Sequence, residues 1–574
     1  MGQPAARLRG RAHRRFRPMG DAMATMSSSP SRGAPRRDMS RAAYRVGLAI
    51  CLGLALMGTA LYWFQSVRQA DGFGFPLDDS WIHLQIARNL AAGKGWSLNP
   101  GVATAAATSP LWVLLIAPLF YLGGDAATWV KFLGVVLYLV NVILVADVAA
   151  LAVGDRRVGI VAGGLAALQP AFLWAALSGM ETMLYLSLFL LGLRSLLLVE
   201  RRGASSAYAS TAWLALAGWA RPELWALLPL FWGYLLWRRQ ELPVGRWWVH
   251  GLIAMLAVGG FVAFNMALWN HPTPATLMAK RAHLGGEGGG IGAAELWVWA
   301  NRFFASIDQA LRSQNIVLLT CLAAVLLVIH RQLVVGKRLL LCLGVVVIGA
   351  AVIAMMDLGG VSFQTYRRSA HMLASMNVLV AAGFVAVYDF LRAPSPDADE
   401  LAGGQKGPAT RLWLRSGSDL WRDLVVLCLV GVALAIQTQA VRAWANRYAN
   451  DVRSINQGDV AAGHWLAANT PVDAHVAVND VGAIAYFGQR RIFDLIGLAS
   501  PESIEVLRRT PYLSQERDRQ MKELLLAQQV DYVVAFPHWF PWLTQDPMLH
   551  EVQRFTVEDA TALAGEEIII YQVK

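Results

Sequence analysis

The sequence predicts a polytopic α-helical membrane protein of about eleven spans, followed by an extracytoplasmic C-terminal α/β domain. Three observations predict this class. The 574 residues are 56% hydrophobic and only 16% charged, a combination rare in soluble chains of that length. Apolar runs of roughly twenty residues recur, the length an α-helix needs to cross the hydrocarbon core. Lys and Arg collect in the loops of one side, the asymmetry that sets topology in a membrane. The net charge of +11 therefore belongs to topology, and no nucleic-acid partner is implied. Cys51, Cys321, Cys342 and Cys428 all fall inside predicted spans, which argues against a disulfide framework or a cysteine metal site.

Taken in order, residues 1–45 are rich in Arg, Ser, Pro and Ala and have no apolar face, so they read as a disordered cytoplasmic tail. Met19, Met23 and Met26 are alternative starts. The membrane part is residues 46–441, with a first outer loop at 65–128 and a second long outer loop at 270–314. The first span is Val46 to Phe64, its Arg-rich flank inside. Thr108 to Leu122 is apolar but short, with Pro110 near its start, so it reads as an interfacial or half-buried helix. Spans then follow at Trp129–Leu151, Val158–Leu177, Met183–Leu198, Ala207–Trp219, Leu224–Trp237 and Trp247–Trp269. Four more fall at Ile316–Ile329, Leu339–Met356, Met372–Leu391 and Leu424–Ala440. This sorting puts Arg156-Arg157, Arg201-Arg202, Arg238-Arg239, Lys337-Arg338 and Ala393 to Arg422 inside.

In the second outer loop, Leu296, Trp299, Phe303, Ile307 and Leu311 recur at helical spacing. Two readings stand there: an amphipathic helix lying on the membrane, or a helix packed on the bundle. Residues 442–574 form the outer domain, where strands at His475–Val478, Arg491–Leu495, Val530–Ala535 and Glu567–Gln572 alternate with helices. That alternation predicts a mainly parallel sheet.

The chemistry concentrates at the outer loops. Asp78 and Asp79 are adjacent at the start of a short helix, and His83 lies one turn beyond Asp79 on the same face. Glu181 and Glu223 are further outer acids; Arg221, Lys280, Arg281, Arg367, Arg368 and His371 are basic groups on that side. Acids facing a watery cavity beside a membrane are expensive and usually functional. A carboxylate can deprotonate an attacking hydroxyl while cations hold a phosphate leaving group. A lipid-linked sugar phosphate would meet both needs. Each residue also has a plainer use. Asp78, Asp79 or Ser80 could be a helix cap, and Glu181 and Glu223 could favour helix N-termini. Lys280 and Arg281 could be solvated loop charges, His83 could fill a helix face, and Asp480 and Asp494 read as turn residues. The sequence identifies no cofactor. A divalent cation at Asp79 and His83 is the one candidate.

The paired acids, followed by Arg88-Asn89-Leu90, Gly93-Lys94-Gly95 and Thr108-Ser109-Pro110-Leu111, resemble the GT-C superfamily of polytopic glycosyltransferases. Ser178-Gly179-Met180-Glu181, Arg221-Pro222-Glu223 and Pro274 to Lys280 are similar to segments of the mycobacterial terminal β-arabinofuranosyltransferases and related bacterial enzymes. The resemblance runs, with gaps, from Leu77 to Lys280. It implies a GT-C-like membrane domain in a bacterial plasma membrane, with polyprenyl-phosphate sugars as donors. The acceptor is an extracytoplasmic glycan, lipid or protein. It also implies that Asp78 or Asp79 is the catalytic base. Asp78 is favoured as the first acid of the pair, with His83, Arg88, Glu181 and Glu223 expected in support. Tyr366-Arg367-Arg368 departs from the pattern, because the prolines that follow this pair in relatives are absent. A transporter or lipid-linked-sugar flippase without transferase activity is the alternative. It would be expected to place ionisable groups at mid-membrane and to show internal repeats, and neither is evident here.

Overall fold

The computed structural model describes residues 39–70, 72–283, 293–312, 333–356, 367–391, 424 and 435–574, and Met39–Lys574 form one compact body. The predicted span Ile316–Ile329 and the loop Ala393 to Arg422 lie outside the described residues, as do Cys321, Cys428 and Tyr366. Among the described residues, four helices are long and apolar enough to cross a membrane: Arg41–Gln69, Ala126–Val153, Trp247–Trp269 and Gly336–Met355. A bent pair, Arg156–Ala167 and Pro170–Leu177, makes a fifth if taken as one span.

Local chemistry sets the helix ends. Ser40 caps the first helix by accepting from Ala43 N–H. Asp125 does the same for Ala127 and Thr128, and that helix stops at Gly154, whose φ of 77° a side chain would resist. The predicted single span Val158–Leu177 is broken by a 57° bend at Pro170. Proline supplies no N–H to the preceding turn. Buried side chains take up the freed carbonyls: Tyr138 Oη donates to Ala167 O at 2.6 Å and Gln437 Nε2 to Leu168 O at 2.6 Å.

The polar ends of the bundle sort into two groups. Arg157 pairs with Asp155 and Asp389 at 2.7 Å each. Arg238 and Arg338 share Glu200 at 2.7 and 2.8 Å, and Lys337 reaches Glu241 at 2.7 Å. These ion pairs gather the loops predicted to be inside. Asp78, Asp79 and Arg367 gather elsewhere, beside residues of the C-terminal domain. On a cysteine-free background, Lys94→Cys is expected to react with an impermeant maleimide applied from outside, and Arg202→Cys only after permeabilisation. The opposite pattern would invert the topology.

The first outer loop carries helix Asp78–Ala91, then helix Pro110–Ile116 and a 3-10 turn, Ala117–Tyr121. Pro110–Tyr121 is one of the shorter apolar helices, as are Thr182–Leu197 and Ala370–Ala386. Ser80 Oγ donates to Ser178 O at 2.6 Å and Trp112 Nε1 to Gly179 O at 2.9 Å, seating the loop on the Ser178–Glu181 segment. In helix Ala293–Arg312, Phe303 and Ile307 pack on the core, while Trp297 and Phe304 are exposed.

In the outer domain, β1 (His475–Val478), β2 (Arg491–Asp494), β3 (Tyr532–Ala535), β4 (Leu549–Thr556) and β5 (Glu567–Val573) form one sheet of order β2-β1-β3-β5-β4. Strand β1 pairs parallel with β2 and β3, while β5 is antiparallel to both β3 and β4. The sheet is therefore mixed, a correction to the mainly parallel one predicted. The strand that was missed, β4, is an edge with several exposed residues, so it lacks the continuous apolar run that marks a buried strand. All four residues of β1 are buried, as a central parallel strand requires.

Candidate active site

Two neighbouring acids have opposite surroundings. Helix Asp78–Ala91 begins at Leu77 with no side-chain cap bond. Asp78 turns away from its own helix to cap another. Its Oδ2 accepts from Gly482 N–H at 2.8 Å and its Oδ1 from Ala483 N–H at 2.6 Å, at the start of helix Gly482–Gly488. Charge-assisted bonds of this kind are the strong ones. Burial pushes the Asp78 carboxyl above its usual range, against the pull of those two N–H groups. The cap reading of this acid is thus right in kind, though the helix capped lies 404 residues away in sequence.

Asp79 faces a small recess lined also by Ile82, His83, Ala106, Thr108, Thr276 and Leu498. Its Oδ2 accepts from Arg367 Nη2 at 2.6 Å. Arg367 is buried, and its Nε and Nη1 meet no hydrogen-bond partner among the described residues. A buried guanidinium with donors to spare is costly unless something pairs with it. His83 is buried, and its Nδ1 likewise has no partner among the described residues. Burial holds this imidazole below its usual range, so it is neutral at pH 7.

Arg221 is occupied. Its Nη1 pairs with Glu181 Oε1 at 2.7 Å and its Nη2 with Glu223 Oε1 at 2.5 Å, and all three side chains are nearly dry. Its charge is spent within the protein, which leaves it poorly placed to hold a phosphate. Glu181 stands at the N-cap position of helix Thr182–Leu197 yet makes no side-chain cap bond, so its partner is the arginine. Arg88 lies over the Tyr486 ring at 4.4 Å and faces the outer domain. His371 packs edge-on against Tyr185 and Phe189, with ring centroids at 6.2 and 5.8 Å. Arg368 is half-buried beside Arg367. Lys280 and Arg281 belong to helix Ala275–His283, but their side chains lie outside what the structure describes.

The structure thus brings Asp79, His83 and Arg367 together and directs Asp78, Arg88, Arg221 and His371 elsewhere. Among the described residues no group of three His, Cys, Asp or Glu side chains is arranged to hold a metal. Leu498 is the recess residue that sequence reasoning missed. It comes from the turn after β2, where Asp494 accepts from Ile496 N–H at 2.8 Å and Ala499 N–H at 2.7 Å. Asp494 is the turn residue expected, and the turn it builds forms part of the recess wall. Asn99 binds the β2 edge with two bonds to Ile492 at 2.8 Å, a second tie between the first outer loop and the outer domain.

Comparison with known proteins adds to this geometry. Residues 441–571 match a family model described as a domain of unknown function, DUF8728. No curated protein matches the chain in sequence. The apo oligosaccharyltransferase of Archaeoglobus fulgidus is similar in structure over 92% of this chain and 76% of its own, at 12% identity and a TM-score of 0.57. The archaeal enzyme AglB from Archaeoglobus fulgidus, in complex with an inhibitory peptide and a dolichol-phosphate, is similar over 92% and 75%, at 12% identity and a TM-score of 0.55. Apo ArnT from Cupriavidus metallidurans is similar over 93% of this chain and 98% of its own, at 13% identity and a TM-score of 0.50.

Proposed function

We propose that this chain, which has the GT-C fold, is a membrane glycosyltransferase. It transfers a sugar from a polyprenyl-phosphate-linked donor to an extracytoplasmic glycan, lipid or protein, in a bacterial plasma membrane. The observation that carries the reading is the Asp79–Arg367 pair at the recess, with Nε and Nη1 of the guanidinium unpartnered among the described residues. One acid and one cation side by side meet the two needs of the reaction. Asp79 takes the proton of the acceptor hydroxyl. The acceptor oxygen bonds to the anomeric carbon, the bond from that carbon to the phosphate oxygen breaks, and the phosphate leaves with the electron pair. Arg367 stabilises the charge that develops on it. Before the donor arrives, the arginine pairs with Asp79. Asp78 is the poorer base, because both its oxygens already accept backbone N–H bonds. The archaeal enzyme held with a dolichol-phosphate supports a lipid phosphate as the donor's leaving group.

The test is binding of undecaprenyl monophosphate to the purified chain, followed by its release from a lipid-linked sugar. Arg367→Ala is expected to weaken binding about 10- to 100-fold, the loss typical of hydrogen bonds to a charged group. Arg367→Lys should recover little, because a lysine presents a point charge where the arginine presents a planar fork. A chain that neither binds the lipid phosphate nor releases it from a lipid-linked sugar is not this enzyme.

A further inference from the structure

Tyr185 was singled out by no sequence motif, yet it is tied to the recess. It lies in the first turn of helix Thr182–Leu197, one turn beyond Glu181, and is fully buried. A buried phenol needs a partner for its hydroxyl. This one uses both of its capacities on a single short segment. Tyr185 Oη donates to Arg367 O at 2.6 Å and accepts from Ala370 N–H at 3.1 Å. Residues 367–369 form a turn, and Ala370 opens the helix Ala370–Leu391. The Ala370 N–H is one of the first-turn donors that a helix leaves unsatisfied, and the tyrosine supplies its acceptor. One hydroxyl thereby holds the two ends of the turn that carries Arg367.

The geometry points to Tyr185 as the positioning residue for Arg367. It fixes the backbone from which the guanidinium reaches Asp79 at 2.6 Å while its Nε and Nη1 stay free of partners among the described residues. A bidentate guanidinium depends on orientation, so a small displacement of its backbone costs binding that a flexible lysine would not lose. Tyr185 itself touches no donor in this arrangement; it acts through the arginine. The inference rests on the proposed phosphate role of Arg367.

The experiment compares undecaprenyl monophosphate binding by the purified full chain with Y185F, R367A and Y138F. Tyr138 is the control: it is equally buried, and its hydroxyl bonds the Ala167 carbonyl at 2.6 Å at the bend, away from the recess. Both Tyr→Phe changes remove one buried hydroxyl and should lower the melting temperature similarly. Only Y185F should weaken lipid-phosphate binding, by about tenfold. In turnover, Y185F should raise the donor KM more than it lowers kcat. Wild-type affinity in Y185F, beside a weakened R367A, overturns the positioning role alone. Equal losses in Y185F and Y138F overturn it too, since the effect is then one of stability. If R367A itself binds like wild type, the phosphate reading falls and the positioning role falls with it.

Discussion

Asp79→Asn is expected to abolish sugar transfer while Asp78→Asn leaves most of it, although the two acids are adjacent. Removing a general base typically costs on the order of 100- to 10,000-fold in rate. Asn at 79 keeps the size of the side chain and one acceptor for Arg367, so the fold should survive while proton removal fails. At 78 the two oxygens accept from Gly482 and Ala483. An amide there can accept with one atom only and sets an N–H against an N–H, a cost of about 1–3 kcal/mol in stability. Its effect on turnover should stay within about tenfold, because the group lost is a docking contact. The measurement is release of polyprenyl phosphate from a lipid-linked sugar by each purified variant, beside its melting temperature. A dead Asp78→Asn and an active Asp79→Asn would reverse the roles assigned to the two acids.

Gly482→Ala is expected to separate the first outer loop from the outer domain. A Cβ at 482 would lie 2.1 Å from the Asp78 carbonyl oxygen and 2.8 Å from its carboxylate. The nearer of these is backbone, so no rotamer change relieves the clash. Overpacking alone typically costs about 1–3 kcal/mol, and here it also pushes apart the two N–H bonds to Asp78. The expected result is a lower melting temperature, faster hydrogen exchange in helix Asp78–Ala91 and a loss of transfer larger than that of Asp78→Asn. Gly488→Ala at the other end of the same short helix is the control. Its Cβ would make only ordinary contacts, the nearest at 3.5 Å, so it should behave as wild type. Equal behaviour of the two variants would mean that the outer domain docks without Gly482.

Gly482 lies in the domain matched by the family model. Leu498 lines the recess, and Asp78, Asn99 and Arg88 tie the first outer loop to the outer domain. The outer domain is thus part of the recess wall. A chain truncated at about residue 441 would lose both the wall and the helix that Asp78 caps.

Signals confined to a short stretch of chain were legible in the sequence. Apolar length marked the helices Arg41–Gln69, Ala126–Val153 and Trp247–Trp269. The distribution of Lys and Arg marked the loops that the structure joins through Glu200, Glu241 and Asp389. The paired acids marked the recess. Each of these depends on neighbours within a few turns, so periodicity and charge counting find them. The choice of partner was not legible, because packing makes it across long separations. Asp79 meets Arg367 from 288 residues away, and Asp78 meets Gly482 from 404. Adjacent in sequence and identical in chemistry, the two acids differ there only in order, which favoured Asp78; the fold gives them different partners. Successive residues at a helix start point in directions about 100° apart. One therefore faces the N–H groups of the outer domain, and the other faces the recess and its arginine. Likewise Arg221 and Arg367 read alike as cations of the outer side. Two buried glutamates neutralise the first, while the second keeps two nitrogens without a partner among the described residues. Only tertiary contacts decide which charge is spent within the protein and which is left to meet a ligand.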